Sequence, residues 1–474
     1  MLNRRDFLTY SLATMAVPVA QHHGTSLFGG LLSAETPDLP LISARMADDI
    51  CQSYMVNTKF IYYGSVYKHM DAVLDLLREL GVRTVRERVE HGPTMAALKQ
   101  SQAMPLLAAS GIRWHATVGS LGDWPNATAV NQAVMDHLAS FYAPQLDGDL
   151  SALMHSLGGC NEIDGPVTNG QVDPEWAAHA RLMQQALWEA AKGNPLTASI
   201  PVAGPSTRTD FTPDRAAELG DLSAWSDLGN AHYYHKGASP TRGIDGHLAM
   251  LRTCFPSAPR WLVTEAGYNN SRQTRSGKTI PESATAVYAV RGICDFFNRD
   301  AIYGRFELLD DPDVVDFRNQ KTINATTERG SHFGLVAMTK TTVKTATPAT
   351  WRKKPEFYAV QRFLQLMSDR GDVFPPEGLQ MQVTGAAADL QRALVQKRDG
   401  RHYLLLWRDV NVCKPYPSGT SLVVPPVTVS VTMAAQRPVA LYQPGTQSEP
   451  ITTMPVTDAF DVPVGKDLVV AEVG

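Results

Sequence analysis

The stretch Asp71-Ala72-Val73-Leu74-Asp75-Leu76-Leu77-Arg78-Glu79-Leu80-Gly81-Val82-Arg83-Thr84-Val85-Arg86 decides the fold. Its apolar residues recur at helical spacing as far as Leu80. Gly81 stands where a helix stops, and a β-rich run follows at once from Arg83 to Val89. The same couplet repeats along the chain. Further strand-like runs lie at Tyr54–Ile61, Ile112–Val118, Met154–Gly159, Thr197–Val202, Asn230–Tyr234, Trp261–Thr264 and Gly304–Leu309. Helical patterns separate them, as from Trp176 to Ala191 with apolar Ala180, Met183, Leu187 and Ala191 on one side. Eight alternations predict an α/β protein built as a (β/α)8 TIM barrel rather than a doubly wound sheet. No GxGxxG or GxxxxGK[ST] follows an early strand, which also argues against the open sheet.

The last barrel helix is expected at Pro355-Glu356-Phe357-Tyr358-Ala359-Val360 and onward. Beyond it the period changes to two, as in Val427-Thr428-Val429-Ser430-Val431-Thr432, with turn signals at Asp399-Gly400, Pro425-Pro426 and Pro444-Gly445. That pattern predicts a small all-β domain, most simply a sandwich. The expected division is 1–40 as a leader and linker, 41–371 as the barrel and 372–474 as the C-terminal β-sandwich domain.

The leader reading comes from Asn3-Arg4-Arg5-Asp6-Phe7-Leu8, followed by a mildly apolar stretch from Leu12 to Ala20 and small residues to Ala34. It resembles a twin-arginine export signal, which implies the twin-arginine translocase as a transient partner and a periplasmic or secreted destination. Five cysteines, Cys51, Cys160, Cys254, Cys294 and Cys413, stand singly, so neither a disulfide framework nor a metal-type cluster is expected. A route that carries folded proteins out of a reducing compartment suits buried, unpaired thiols. With 43 Lys and Arg against 47 Asp and Glu, the formal charge is -4, which gives no electrostatic case for a nucleic-acid partner. No run of apolar residues is long enough for a membrane span, so no stable membrane insertion is expected.

In such a barrel, polar residues just after each strand carry the chemistry. The fourth run ends Gly158-Gly159-Cys160-Asn161-Glu162-Ile163-Asp164-Gly165, and the seventh reads Trp261-Leu262-Val263-Thr264-Glu265-Ala266-Gly267-Tyr268. Strands four and seven lie on opposite walls of an eight-stranded ring, so Glu162 and Glu265 can face each other across its mouth. Two facing carboxyl groups suit glycoside hydrolysis, which needs a proton donor for the leaving oxygen and a second group at the anomeric carbon. Arg86 is the preferred charge partner of Glu265. Arg83 and Arg88 compete for that place, and alternation puts Arg88 on the same face as Arg86. His232 and Tyr234 share a face on the sixth strand, and His115 ends the third. Trp124, Trp225 and Tyr268 are possible sugar-stacking rings or plain core aromatics, and Glu307 and Asp310 are either hydroxyl contacts or loop residues.

An Asn-Glu pair after strand four, a Glu ending strand seven, Arg86 ending strand two and His232-Tyr233-Tyr234 on strand six together resemble the clan A (β/α)8 glycoside hydrolase superfamily. The resemblance spans the barrel. It implies a retaining enzyme acting on a poly- or oligosaccharide, with Glu162 as acid/base, Glu265 as nucleophile, Asn161 at the sugar 2-hydroxyl, and no cofactor or metal. Two departures bear on family and sugar rather than on the pair: Ile163-Asp164-Gly165 where many relatives have Pro, and Arg305-Phe306-Glu307 where many have Trp. Two other readings compete. One is a non-catalytic carbohydrate-binding barrel; the other is a metal-dependent barrel hydrolase, which would need histidine ligands that the Tyr54–Tyr63 region lacks.

Overall fold

Short strands buried on both faces build a ring. The computed structural model describes residues 39–166, 171–272, 278–311, 332–339, 342–385 and 387–474. The expected leader, with Arg4 and Arg5, lies outside the described residues except at its last two positions. Two short strands, β1 (Leu41–Ile42) and β2 (Arg45–Met46), and the helix α1 (Asp48–Gln52) come first. Eight strand–helix couplets follow: β3 (Tyr54–Asn57) with α2 (Met70–Leu80), β4 (Thr84–Arg88) with α3 (Met95–Ala109), and β5 (Arg113–Thr117) with α4 (Ala127–His137). Then come β6 (Met154–Gly158) with α5 (Trp176–Gly193), β7 (Val202–Ala203) with α6 (Pro213–Leu219), and β8 (Gly229–His232) with α7 (Ile244–Leu251). The last couplets are β9 (Trp261–Ala266) with α8 (Glu282–Phe297) and β10 (Ala301–Arg305) with α9 (Pro355–Met367).

The eight strands are parallel in the order β7-β6-β5-β4-β3-β10-β9-β8, and a single parallel bridge between Ala203 and Leu228 completes the ring. Val56, Val85, Trp114, Leu157 and Val263 are buried in the main core with the helices. Met55, Leu262, Ile302 and Ala203 form a separate small cluster. Strand alternation turns that second set into the ring. The helix stop at Gly81 is the one expected: its φ is 77°, and its N–H reaches the Leu77 and Arg78 carbonyls.

Three strands differ from the sequence expectation, the first of them ending at Asn57 rather than Ile61. The fifth is only Val202–Ala203, because Thr197 is tied back to the end of α5 through its hydroxyl on the Ala191 carbonyl at 2.8 Å. The eighth is Ala301–Arg305 rather than Gly304–Leu309. Residues beyond it bond a returning segment instead: Leu335 N–H donates to Glu307 O, and Val336 N–H to Leu308 O, both at 3.0 Å. That segment continues into β11 (Val336–Met338), which pairs with β12 (Trp351–Lys353).

The C-terminal strands are β13 (Leu379–Thr384), β14 (Leu390–Gln396), β15 (His402–Arg408), β16 (Val427–Tyr442), β17 (Thr452–Val464) and β18 (Val469–Val473). They form one hydrogen-bonded sheet in the order β1-β13-β16-β18-β15-β14-β2, with β17 on β16. The early part of β16 pairs with β13 and its late part with β18, and the inward residues of both parts share one buried cluster, including Met381, Leu404, Val431, Val439 and Phe460. The first two strands also belong to this sheet: Ile42 pairs with Leu379 and Met46 with Gln396. The barrel's own first strand is therefore β3. The other face of the sheet packs on the helices. Trp407 is fully buried and donates its indole N–H to Asp295 of α8 at 2.7 Å. All five cysteines are free and buried. No helix among the described residues is long and apolar enough to cross a membrane.

Candidate active site

Two backbone irregularities aim the two glutamates. Along β9, Leu262 faces the ring interior and Val263 the helices, so strict alternation would send Glu265 outward with Val263. One extra residue prevents this. Ala231 pairs with Val263 but His232 with Glu265, and on the other side Tyr303 pairs with Val263 but Arg305 with Ala266. This bulge turns Glu265 back to the mouth of the ring. It also presses the Thr264 carbonyl against β10 at Gly304, where an added Cβ would lie 2.5 Å from that oxygen. Glu162 lies past the end of β6 in a turn, with φ of 45°, in the left-handed region unusual for a residue with a Cβ. Its N–H is held by the Ser206 hydroxyl at 3.0 Å, and the turn is pinned further by Asp164, whose carboxylate accepts from Arg208 N–H at 2.9 Å and from Arg215 at 3.2 Å.

Arg86 organises the floor. One terminal nitrogen donates to Glu265 Oε1 at 2.6 Å and to Asn57 Oδ1 at 2.8 Å; the other donates to Asn161 Oδ1 and lies 3.4 Å from His232 Nε2. The Tyr234 hydroxyl donates to Glu265 Oε2 at 2.8 Å. His232 Nδ1 lies between the pair, 3.2 Å from Glu162 Oε1 and 3.5 Å from Glu265 Oε2. Burial alone would raise the Glu265 carboxyl, but His232, Arg86 and the Tyr234 hydroxyl outweigh it and hold the group below the ordinary glutamate range. Burial, reinforced by Glu265, pushes the Tyr234 hydroxyl well above its usual value, so it keeps its proton to donate. The Glu162 side chain is 38% exposed against 13% for Glu265. One carboxylate is thus fixed as an anion and the other stands open to the solvent side, an arrangement that can supply a proton and a negative charge to one ligand.

A cleft of about 330 Å³ opens beside Glu265, lined among others by Asn57, Lys59, Tyr62, Arg86, Asn161 and Phe306. Of the eight candidates, six converge: Glu162, Glu265, Asn161, Arg86, His232 and Tyr234. Of the competing arginines, Arg83 pairs with Asp48, and Arg88 lines the cleft but pairs with Glu90. His115 is fully buried beside Arg86 on the neighbouring strand, with Nδ1 2.7 Å from the Ser156 hydroxyl. Burial, then Arg86, holds it well below the ordinary histidine range, so it is a neutral support under the floor rather than a cleft residue. Trp124 stands apart. It stacks flat on His179 at 3.8 Å and lines a different depression with Leu182 and Gln185. Tyr268 is buried with its hydroxyl on the Ala238 carbonyl, and Trp225 packs against the main core. Glu307 pairs with Lys59 at 2.7 Å and Asp310 with Lys354 at 2.9 Å, so both are committed to protein partners.

Sequence reasoning missed Asn57, Lys59 and Phe306. Asn57 could have been found by the rule that picked the others, since it is the polar residue closing the apolar run Tyr54-Met55-Val56. Phe306 directly follows β10, and Lys59 lies 5.1 Å from its ring centre.

No protein-family model matches the chain, and no curated protein matches it. Solved structures do resemble it. A glucosidase from Croceicoccus marinus aligns over 84% of this chain and 91% of that one, at 12% identity and a TM-score of 0.54. A β-porphyranase of glycoside hydrolase family 86 from Bacteroides plebeius covers 91% and 76%, at 13% identity and 0.48. A β-glucosidase from Exiguobacterium marinum covers 64% and 87%, at 12% identity and 0.42. At such identities the likeness is one of fold, and it is the first of these that carries it.

Proposed function

We propose that this chain is a retaining glycoside hydrolase acting on a poly- or oligosaccharide. The observation that carries the reading is the facing pair. Glu162, His232 and Glu265 each present an atom within 4.8 Å of the others, so the two carboxylates approach closely across the mouth. Retaining pairs stand about 5–5.5 Å apart and inverting pairs about 6.5–9.5 Å, the latter leaving room for a water. In the proposed first step Glu265 Oε attacks the anomeric carbon while Glu162 gives its proton to the departing glycosidic oxygen. In the second, Glu162 takes a proton from water, whose oxygen displaces Glu265 and regenerates both groups. In this reading Asn161, which accepts a bond from Arg86, meets the sugar 2-hydroxyl. The fold shared with a glucosidase supports this reading.

The test is the pair Glu265→Ala and Glu162→Ala assayed with activated aryl glycosides. The first must lose turnover; the second must regain deglycosylation when azide is added. Unchanged activity in both would sink the proposal, leaving a carbohydrate-binding barrel.

One observation favours a metal-dependent hydrolase instead, since Glu162, His232 and Glu265 are of the right types to hold an ion. Against it, Arg86 already supplies the countercharge 2.6 Å from Glu265. Stoichiometric zinc together with chelator-sensitive activity would reverse the preference.

The wider organisation is part of the proposal: a leader at 1–40 read by the twin-arginine translocase, a catalytic barrel up to about 371 whose preceding strands β1 and β2 join the C-terminal sheet, a C-terminal β domain at 372–474, and a periplasmic or secreted enzyme. Mass spectrometry of the protein recovered outside the cytoplasm tests the leader; an intact N-terminus there would count against it.

A further inference from the structure

Between the inward-facing Arg86 and Arg88 sits Glu87, a carboxylate only 4% exposed that the chemistry above does not use. An unpartnered anion in that position would be expensive. This one is fully engaged: Oε2 accepts the Thr58 hydroxyl at 2.8 Å, Oε1 accepts the Ile61 N–H at 2.8 Å, and the Phe60 N–H also bonds the carboxylate. All these donors belong to the loop that leaves β3. The same loop brings Thr58, Lys59, Ile61 and Tyr62 to the cleft. From there Lys59 bridges to Glu307 at 2.7 Å and to Asp311 at 2.5 Å, beyond the end of β10. The loop also adjoins Asn57, which holds Arg86.

We infer that Glu87 is a positioning residue: its carboxylate clamps the Thr58–Tyr62 wall against β4 and so fixes one side of the cleft that Glu265 lines. Glu87 borders the cleft, but both of its carboxylate oxygens are taken by the loop's donors. The clamp tolerates loss of charge. Burial pushes the Glu87 carboxyl up to about 7, partly offset by its bonds from Ile61, Phe60 and Thr58. When it takes a proton, the Thr58 hydroxyl can turn from donor to acceptor while Ile61 N–H stays bound. Glutamine offers the same pattern, with an oxygen for Ile61 and an amide for Thr58.

The kinetic arm of the test rests on the glycosidase reading; the exchange arm does not. In the full chain, Glu87→Ala is expected to raise deuterium uptake across residues 58–62. It should also raise KM about tenfold, with kcat changed less than about threefold, on whichever aryl glycoside the wild type turns over. Glu87→Gln should restore both to near wild type, and Thr58→Val, which removes one donor and leaves the buried acid, should give a smaller rise in uptake. If Glu87→Ala does not fold, the other two variants decide. Unchanged uptake in both Glu87→Ala and Thr58→Val overturns the clamp, as does a Glu87→Gln chain that is folded but as loose as the alanine variant. A loosened loop in a chain with no glycosidase activity would uphold the clamp while removing the reaction proposed for the cleft.

Discussion

The two glutamates at the mouth of the ring are the same residue in opposite conditions. Glu265 sits on a strand, turned inward by a bulge, gripped by Arg86 and Tyr234 and held anionic. Glu162 sits in a turn, more exposed, with His232 3.2 Å from Oε1 and its backbone in the left-handed region. The difference teaches that backbone geometry, more than residue type, sorts the two carboxyl groups. In the proposed reaction the nucleophile needs fixed position and charge, which a strand and an arginine provide. A group that must gain and lose a proton needs access, which a turn provides.

Removing the fixed member should be the more damaging change. Glu265→Gln is expected to lower kcat on the order of 10⁴-fold or more. Glu162→Gln should cost about 10²–10⁴-fold on poorly activated leaving groups and far less on activated ones. Steady-state kinetics on a leaving-group series measures both, and equal losses across the series would erase the distinction. Next is Arg86→Ala. Breaking a buried pair costs about 3–5 kcal/mol, which corresponds to a fall in kcat/KM of about 10²–10⁴-fold if the transition state feels all of it. Arg86 helps hold the Glu265 carboxyl down, so its loss lets that pKa rise, and the acidic limb of the pH–rate profile should move to higher pH. A limb that stays put would mean Arg86 does not set that charge.

Tyr234→Phe removes one bond to a charged acceptor, about 1.5–3 kcal/mol, so kcat/KM should fall about ten- to a hundredfold with a smaller shift of the same limb. Gly304→Ala tests the bulge. Its methyl would press on the Thr264 carbonyl, an overpacking of about 1–3 kcal/mol that should lower Tm and displace Glu265 with Glu162 untouched. Unchanged Tm and kcat would show that the bulge has slack. Trp124→Ala comes last, with activity expected within about twofold, as for a surface change near 0.5 kcal/mol. A tenfold loss would bring that ring back into the site.

Much of this was legible because the barrel repeats one local rule. The helix ending at Leu80 and stopped by Gly81, and the eight strand–helix couplets, follow from periodicity and end signals alone. The convergence of Arg86, His232 and Tyr234 follows from alternation. What was not legible breaks alternation or depends on distant pairing. The bulge at Thr264 adds a residue without any mark in the composition, and Thr197 is drawn away from its strand by a hydroxyl bond to the previous helix. Trp124 could not be placed because the stack on His179 is set by tertiary packing. Leu41–Ile42 and Arg45–Met46 are too short to show any period, so nothing local reveals which sheet takes them.

Those two short strands carry a consequence for the order of events during synthesis. Leu41 pairs with Gln380 and Arg45 with Val395, so residues made early in the chain wait for partners made near its end. Until β13 and β14 leave the ribosome, the first strands have no edge to join. A nascent chain stopped after the barrel would present that edge unpaired. The two ladders therefore close only after the last barrel helix has been made, which ties the start of the described chain to strands that follow the barrel.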